Sequence, residues 1–180
     1  MRKLKILRTC GNKVILKRLD YKSEILKQIM GLTVSELKNI NFFENYSDNH
    51  LRFFSEISSV KEFKVKEILF EQYDQLSDLY LLLEGTLSLG ISLAKEKRIH
   101  LSSIQPGQLF SWSAVFEPQI STAWVMATGP AKVLAIDSKK LRKKFLNDCE
   151  FGFLTISKIA RTISNRLSDT RFHLMNRLTI

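Results

Sequence analysis

The order of apolar and polar positions changes character three times along the chain. Residues 1–30 interleave Leu, Ile and Val with Lys and Arg, and Gly11-Asn12 reads as a turn inside that stretch. Residues 33–40 and 47–57 follow with helical spacing. Ser47 is placed to cap the second helix, whose Leu51, Phe54 and Ile57 fall on one face. From Val60 to Asp137 the period shortens. Phe63/Val65, Ile68–Phe70, Leu79–Leu83, Leu87/Leu89/Ile91, Ile99/Leu101, Trp124/Met126 and Val133–Ile136 are short apolar or alternating runs. Tyr73-Asp74, Glu84-Gly85, Pro106-Gly107, Glu117-Pro118 and Gly129-Pro130 punctuate them. About eight short strands at this spacing predict an antiparallel sandwich or barrel. At Ser138 the pattern turns helical again, with Ser138 expected to cap a short basic helix over 139–145. A long helix is predicted over roughly 151–176. Its apolar stripe runs through Phe153, Ile156, Ile159, Ile163, Leu167 and Leu174. A helix of about 25 residues spans roughly 37 Å, longer than one small barrel, so its far end is expected to pack on a second copy.

Composition narrows the class. With 180 residues, 44% hydrophobic and 26% charged, the chain has enough apolar material for one domain with an extension. The division expected is a basic extension over 1–30 and a domain over 31–180 that includes the C-terminal helix of about 150–176. The net charge of +10 is uneven. Residues 1–30 hold nine basic and two acidic side chains, so +7 of it belongs to that segment. The high isoelectric point therefore describes the extension rather than the domain. Nucleic-acid contact is expected only through residues 1–30, which otherwise read as a solvated extension.

No apolar run is long enough to span a bilayer, and no apolar core or cleavage site follows the basic start. Membrane insertion and a signal peptide are not expected. Cys10 and Cys149 are isolated, and a reducing cytoplasm is the simplest setting. His50, His100 and His173 are scattered, without a second ligand at metal spacing. No acid–base–nucleophile constellation stands out, so an enzyme is the least expected class. Trp112 and Trp124 read as core residues rather than stacking platforms, and Asp74 and Asp78 as turn and cap residues.

Five stretches stand in an order that resembles a known family. They are Phe63-Lys-Val-Lys-Glu-Ile-Leu-Phe-Glu-Gln, Leu79-Tyr-Leu-Leu-Leu-Glu-Gly-Thr-Leu, Ile104-Gln-Pro-Gly-Gln-Leu-Phe, Ser121-Thr-Ala-Trp-Val-Met-Ala and Ile159-Ala-Arg-Thr-Ile-Ser-Asn-Arg-Leu. Together, over about residues 38–176, they resemble the cyclic-nucleotide-binding domain of the catabolite activator and oxygen-sensor (Crp/Fnr) regulators. The resemblance implies a mainly β fold: an eight-stranded antiparallel barrel of jelly-roll type. Short N-terminal helices precede it, and a long C-terminal dimer helix carries Ile156, Ile159, Ile163, Leu167 and Leu174. It also implies a phosphate-binding cassette at Gly107, Gln108, Leu109, Phe110 and Ser111 and again at Ser121, Thr122 and Ala123. Arg166 falls where the dimer helix approaches the ligand, although a surface or dimer-interface arginine is the favoured reading.

Two departures matter. The family binds a cyclic phosphate with an arginine and the ribose with a glutamate; those positions hold Ser121 and Gln108. Without the arginine, a desolvated phosphate lacks a fixed counter-charge, at a cost of several kcal/mol. Tyr73 also replaces a turn glycine, which is tolerated if the turn keeps a negative φ. The expected protein is therefore a cytoplasmic ligand-sensing regulatory homodimer with a degenerate cassette. It is not expected to bind cyclic AMP or cyclic GMP in the usual way. A small-molecule or nucleotide-like effector and a protein partner are the open classes. Only four residues follow Asn176, so the family's helix-turn-helix is not expected here. The alternatives are a nucleic-acid-associated regulator acting through residues 1–30 and a ligand-free interaction scaffold.

Overall fold

The structure, a computed structural model, describes residues 31–93 and 97–178; the basic segment 1–30 lies outside the described residues. Two short helices, α1 (Val34–Lys38) and α2 (Asp48–Ile57), flank a 3-10 turn at Asn41–Phe43. Eight strands follow: β1 (Ser58–Phe63), β2 (Ile68–Phe70), β3 (Asp78–Glu84), β4 (Leu87–Ser92), β5 (Arg98–Ile104), β6 (Leu109–Phe110), β7 (Trp124–Ala127) and β8 (Ala131–Asp137). A second 3-10 turn, Trp112–Val115, follows β6. Helices α3 (Ser138–Asn147) and α4 (Cys149–Leu178) complete the chain.

All strand pairs are antiparallel, in two four-stranded sheets ordered β1-β8-β3-β6 and β2-β7-β4-β5. This is the expected jelly-roll arrangement, with one refinement: the sheets face each other and do not close into a barrel. The alternation of side chains across a strand explains the sequence pattern. On β3, Tyr80 and Leu82 point between the sheets, while Leu79 and Leu81 point out under the helices. On β8, Val133 and Ala135 point inward and Leu134 and Ile136 outward. The first sheet is thus buried on both faces, which is why its strands read as unbroken apolar runs. β5, at the edge of the second sheet, carries exposed Arg98, His100 and Leu101 instead.

The helical core is aromatic. Phe43 and Phe54 meet edge to face at 4.9 Å, Tyr46 and Phe54 at 5.1 Å, and Phe54 and Phe151 at 5.1 Å. It receives α4 through Phe151, Thr155 and Ile159, all fully buried. Thr155 Oγ1 lies 2.8 Å from the Tyr46 hydroxyl and donates to the Phe151 carbonyl at 2.7 Å. Burial pushes the Tyr46 hydroxyl up to about 12. The first turn of α4 is capped by Asp148, whose Oδ1 accepts from the Phe151 N–H at 3.0 Å.

Ser47 caps α2 as expected, accepting from the His50 N–H at 3.3 Å. The cap of α3 is Asp137 rather than Ser138. Asp137 Oδ1 accepts from the Lys140 N–H at 2.9 Å, and Ser138, fully buried, is the first helical residue. A carboxylate cap also suits the positive end of the helix dipole. Tyr73 does not keep a negative φ: its φ is +74°, a left-handed conformation that costs a side-chain-bearing residue about 1 kcal/mol. Its ring stays exposed. Gly85, in the β3–β4 turn at φ +88°, requires glycine twice over, since a Cβ there would lie 2.3 Å from the Pro130 carbonyl oxygen. Among the described residues, no helix is long and apolar enough to cross a membrane.

Candidate ligand site in and beside the roll

The expected cassette residues separate into two places. Ser111, Ser121, Thr122, Ala123 and Arg166 come together around a cavity inside the roll, joined by Phe70, Leu76, Leu89, Trp112 and Ser113. Gly107, Gln108 and Leu109 face outward instead, along a cleft beside α4 that Arg166 also reaches. Phe110 lines neither concavity. It is fully buried between the sheets, stacked on Tyr80 at 5.4 Å and Phe70 at 6.4 Å.

The roll cavity is small, about 30 Å³, room for roughly two water molecules. A ligand pocket ordinarily offers roughly 300–1,000 Å³. The Arg166 guanidinium closes it from above, with its carbon 5.0 Å from the centre of the Trp112 ring. Burial lowers the pKa of Arg166, and the Asp169 carboxylate offsets this only in part. Among the described residues, Arg166 Nη1 is buried without a hydrogen-bond partner.

Arg166 apart, most polar groups of the expected cassette are engaged within the chain. Ser121 is buried; its hydroxyl donates to the Ala123 carbonyl at 2.5 Å, and its backbone N–H and carbonyl bind the turn at Asp74 and Tyr73. The Ser111 hydroxyl donates to the Asp78 carbonyl at 2.8 Å and accepts from the Tyr80 N–H at 3.2 Å, tying β6 to β3. Ser111 has φ +57°, the bend that turns the chain from β6 into the Trp112 turn. Gln108 Oε1 accepts from the Gln105 N–H at 2.9 Å, closing the β5–β6 turn on itself. The Gly107 N–H goes to the Leu82 carbonyl at 2.7 Å. Gly107, Gln108 and Thr122 stand exposed. The turn after β6 is held from behind by Arg142 of α3, which donates to the Ala114 carbonyl at 2.6 Å.

The outer cleft is larger, about 470 Å³, bounded by α4, the Asn41–Phe43 turn and the β5–β6 turn. Lys158, Arg161, Asn165 and Asp169 line it from α4. Sequence reading had no motif for this place. The only signal was the recurrence of polar residues at three- and four-residue steps on one side of the apolar stripe. Trp112 is likewise more than a core residue, since it forms the surface on which Arg166 rests.

The helix stripe divides by depth. Ile159 is fully buried in the chain's own helical core, Ile156 and Ile163 pack at its margin, and Leu167 is 49% exposed. The Leu174 side chain lies outside the described residues.

Comparison with known proteins agrees with this geometry. Residues 60–148 match the family model of the cyclic nucleotide-binding domain. The chain is 23% identical over 119 residues to the cAMP-activated global transcriptional regulator of Pasteurella multocida, covering 66% of this chain and 57% of that protein. It therefore spans little more than half of that relative's length. A protein from Geobacter metallireducens described as cyclic nucleotide-binding superposes with a TM-score of 0.67 at 26% identity, over 76% of this chain and 98% of that one. The regulatory domain of Toxoplasma gondii PKA, solved with cAMP, shares the fold at a TM-score of 0.62 and 17% identity, over 80% of this chain and 52% of that one. With eight strands in two facing sheets and a long helix after them, this chain has the fold of these proteins, and its residues 60–148 match the cyclic nucleotide-binding domain family.

Proposed function

We propose that the chain is a regulatory module, not an enzyme, whose roll does not take cyclic AMP or cyclic GMP in the family's usual way. In this reading it passes its state to a partner through α4. The observation that carries the reading is the small size of the roll cavity, about 30 Å³, with Arg166 over Trp112 at its edge and the Ser121 hydroxyl bonded within the chain. A cyclic phosphate entering there would displace an indole and meet no arginine where the family supplies one. Desolvating that charge without a partner costs several kcal/mol. Calorimetry of the full chain with cyclic AMP and cyclic GMP is expected to show no binding at micromolar ligand. Micromolar affinity for either would overturn the reading.

The same reading makes α4 a dimer helix. In its support, Phe153 is 78% and Leu167 49% exposed on one side of a helix that also extends beyond the core. Leu167→Asp is expected to yield monomers by light scattering with the fold intact by circular dichroism. Ile163→Asp is a poorer probe, because Ile163 also packs against the chain's own core. A Leu167→Asp protein that stays dimeric would place the interface elsewhere.

A further inference from the structure

The cleft outside the roll has the properties that the roll cavity lacks. Its volume of about 470 Å³ lies within the range of small-molecule sites. Three cations line it from one helix: Lys158, Arg161 and Arg166. Two carboxylates, Glu44 and Asp169, line it as well, so positive charge is in excess by one. None of the three cations lies within ion-pair distance of a carboxylate among the described residues. Lys158 donates only to the uncharged Glu44 carbonyl, at 2.8 Å. Arg161 and Asn165 make no side-chain hydrogen bond among the described residues. Burial lowers the pKa of both Lys158 and Arg166, so their charge is held where water compensates it poorly. Phe42, Leu109 and Leu154 supply an apolar wall beside these groups.

Three cations outside ion-pair distance of a carboxylate, two of them partly buried, beside an apolar wall suit an anion that carries a carbon body. Arginine presents a planar fork that grips two phosphate oxygens at once, and lysine adds a point charge. From this juxtaposition we infer that the cleft between α4, the Asn41–Phe43 turn and the β5–β6 turn is a binding site for a small phosphorylated molecule, separate from the roll. Arg161 and Lys158 hold the phosphate. Arg166, shared by both concavities, moves with it and so links the cleft to Trp112.

The test is calorimetry of the full chain at low salt with two probes, inorganic pyrophosphate and adenosine 5′-monophosphate, followed in parallel by tryptophan fluorescence. Binding of at least one probe is expected. Arg161→Gln and Lys158→Gln should each weaken it by about tenfold, the effect of losing one charge-assisted hydrogen bond. Arg161 is exposed and unbonded, so its variant keeps the fold. Lys139→Gln, on the exposed side of α3, removes the same charge away from the cleft and should change nothing. No heat with either probe at millimolar concentration overturns the inference. So does equal weakening by Lys139→Gln, or none by Arg161→Gln. The inference and the proposal for the roll fail separately: a cyclic nucleotide that bound with Arg161→Gln unchanged would reopen the roll and leave the cleft untouched.

Discussion

The cavity inside the roll and the cleft beside α4 share one side chain, Arg166, and differ in almost everything else. In the roll, hydroxyls and backbone groups are bonded to one another, and an indole lines what space is left. In the cleft, lysine and arginine face an open volume, and Glu44 and Asp169 line it beyond ion-pair distance of them. A concavity whose polar groups are satisfied internally gains little from a polar ligand, because each new bond replaces one already made. One whose charges are unpaired and partly desolvated gains more. Shape inherited from a family is therefore a weaker guide to where a ligand sits than the bonding state of the groups that line the space.

The largest effect should come from breaking the packed floor of the roll. Phe110→Ala removes a fully buried ring from between Tyr80 and Phe70, and is expected to cost about 3–5 kcal/mol in denaturant unfolding. A loss below about 1 kcal/mol would mean the roll is already loose, and the contrast with the cleft would disappear.

The next effect concerns what closes the roll. Ser121→Arg supplies an arginine at the position that the resemblance gives the phosphate-binding one, yet this variant should still show no cyclic AMP binding while Trp112 stands under Arg166. Adding Trp112→Ala should raise affinity into the micromolar range, a gain of at least about tenfold, roughly 1.4 kcal/mol. If the Ser121→Arg variant alone binds, the missing arginine rather than the indole excludes the ligand.

A smaller effect tests how α4 is docked on the helical core. Tyr46→Phe removes the hydroxyl beside Thr155 but leaves Thr155 its bond to the Phe151 carbonyl. A loss of about 1 kcal/mol in thermal or chemical unfolding is expected, with probe binding in the cleft unchanged. A loss of cleft binding would show that the register of α4 depends on this one contact.

The smallest effect is one of pH. Hydrogen bonding from the Phe151 N–H, helped by Lys144 and His50, holds the Asp148 carboxyl down at about 2, against an ordinary 3.8. A carboxyl depressed in the folded state stabilises above its unfolded pKa, and that contribution fades as pH falls from 3.8 toward 2. The melting temperature of the wild-type chain should therefore fall more steeply across this window than that of Asp148→Asn, which keeps a cap but not the charge. Parallel curves would assign the start of α4 to packing alone.

Some of this was legible residue by residue. Leu79–Leu83 and Val133–Ile136 announced strands buried on both faces, and Glu84-Gly85 announced their turn. Ser47 announced a helix start, and the stripe from Ile156 onward announced the long helix. Other features were not. β6 is two residues long and has no period to detect. Asp137 and Ser138 are both good caps, and the choice between them depends on where β8 releases the chain. Tyr73 adopts a left-handed turn that its side chain disfavours, because the turn is held from outside: its N–H bonds to the Ser121 carbonyl at 2.8 Å.

What the amino-acid sequence determined by itself was the architecture, since strand periods, turns and the helix stripe follow from residue type and order alone. Which concavity is open was decided only in three dimensions. Trp112 and Arg166 are 54 residues apart in the chain, and nothing in either neighbourhood says that one will rest on the other. Lys158 and Arg161 look like an ordinary solvated helix face until the Asn41–Phe43 turn and the β5–β6 turn are packed beside them. Local period and composition encode where an element lies and which face it buries. The pairing of charges is settled by groups that meet only when the chain has folded.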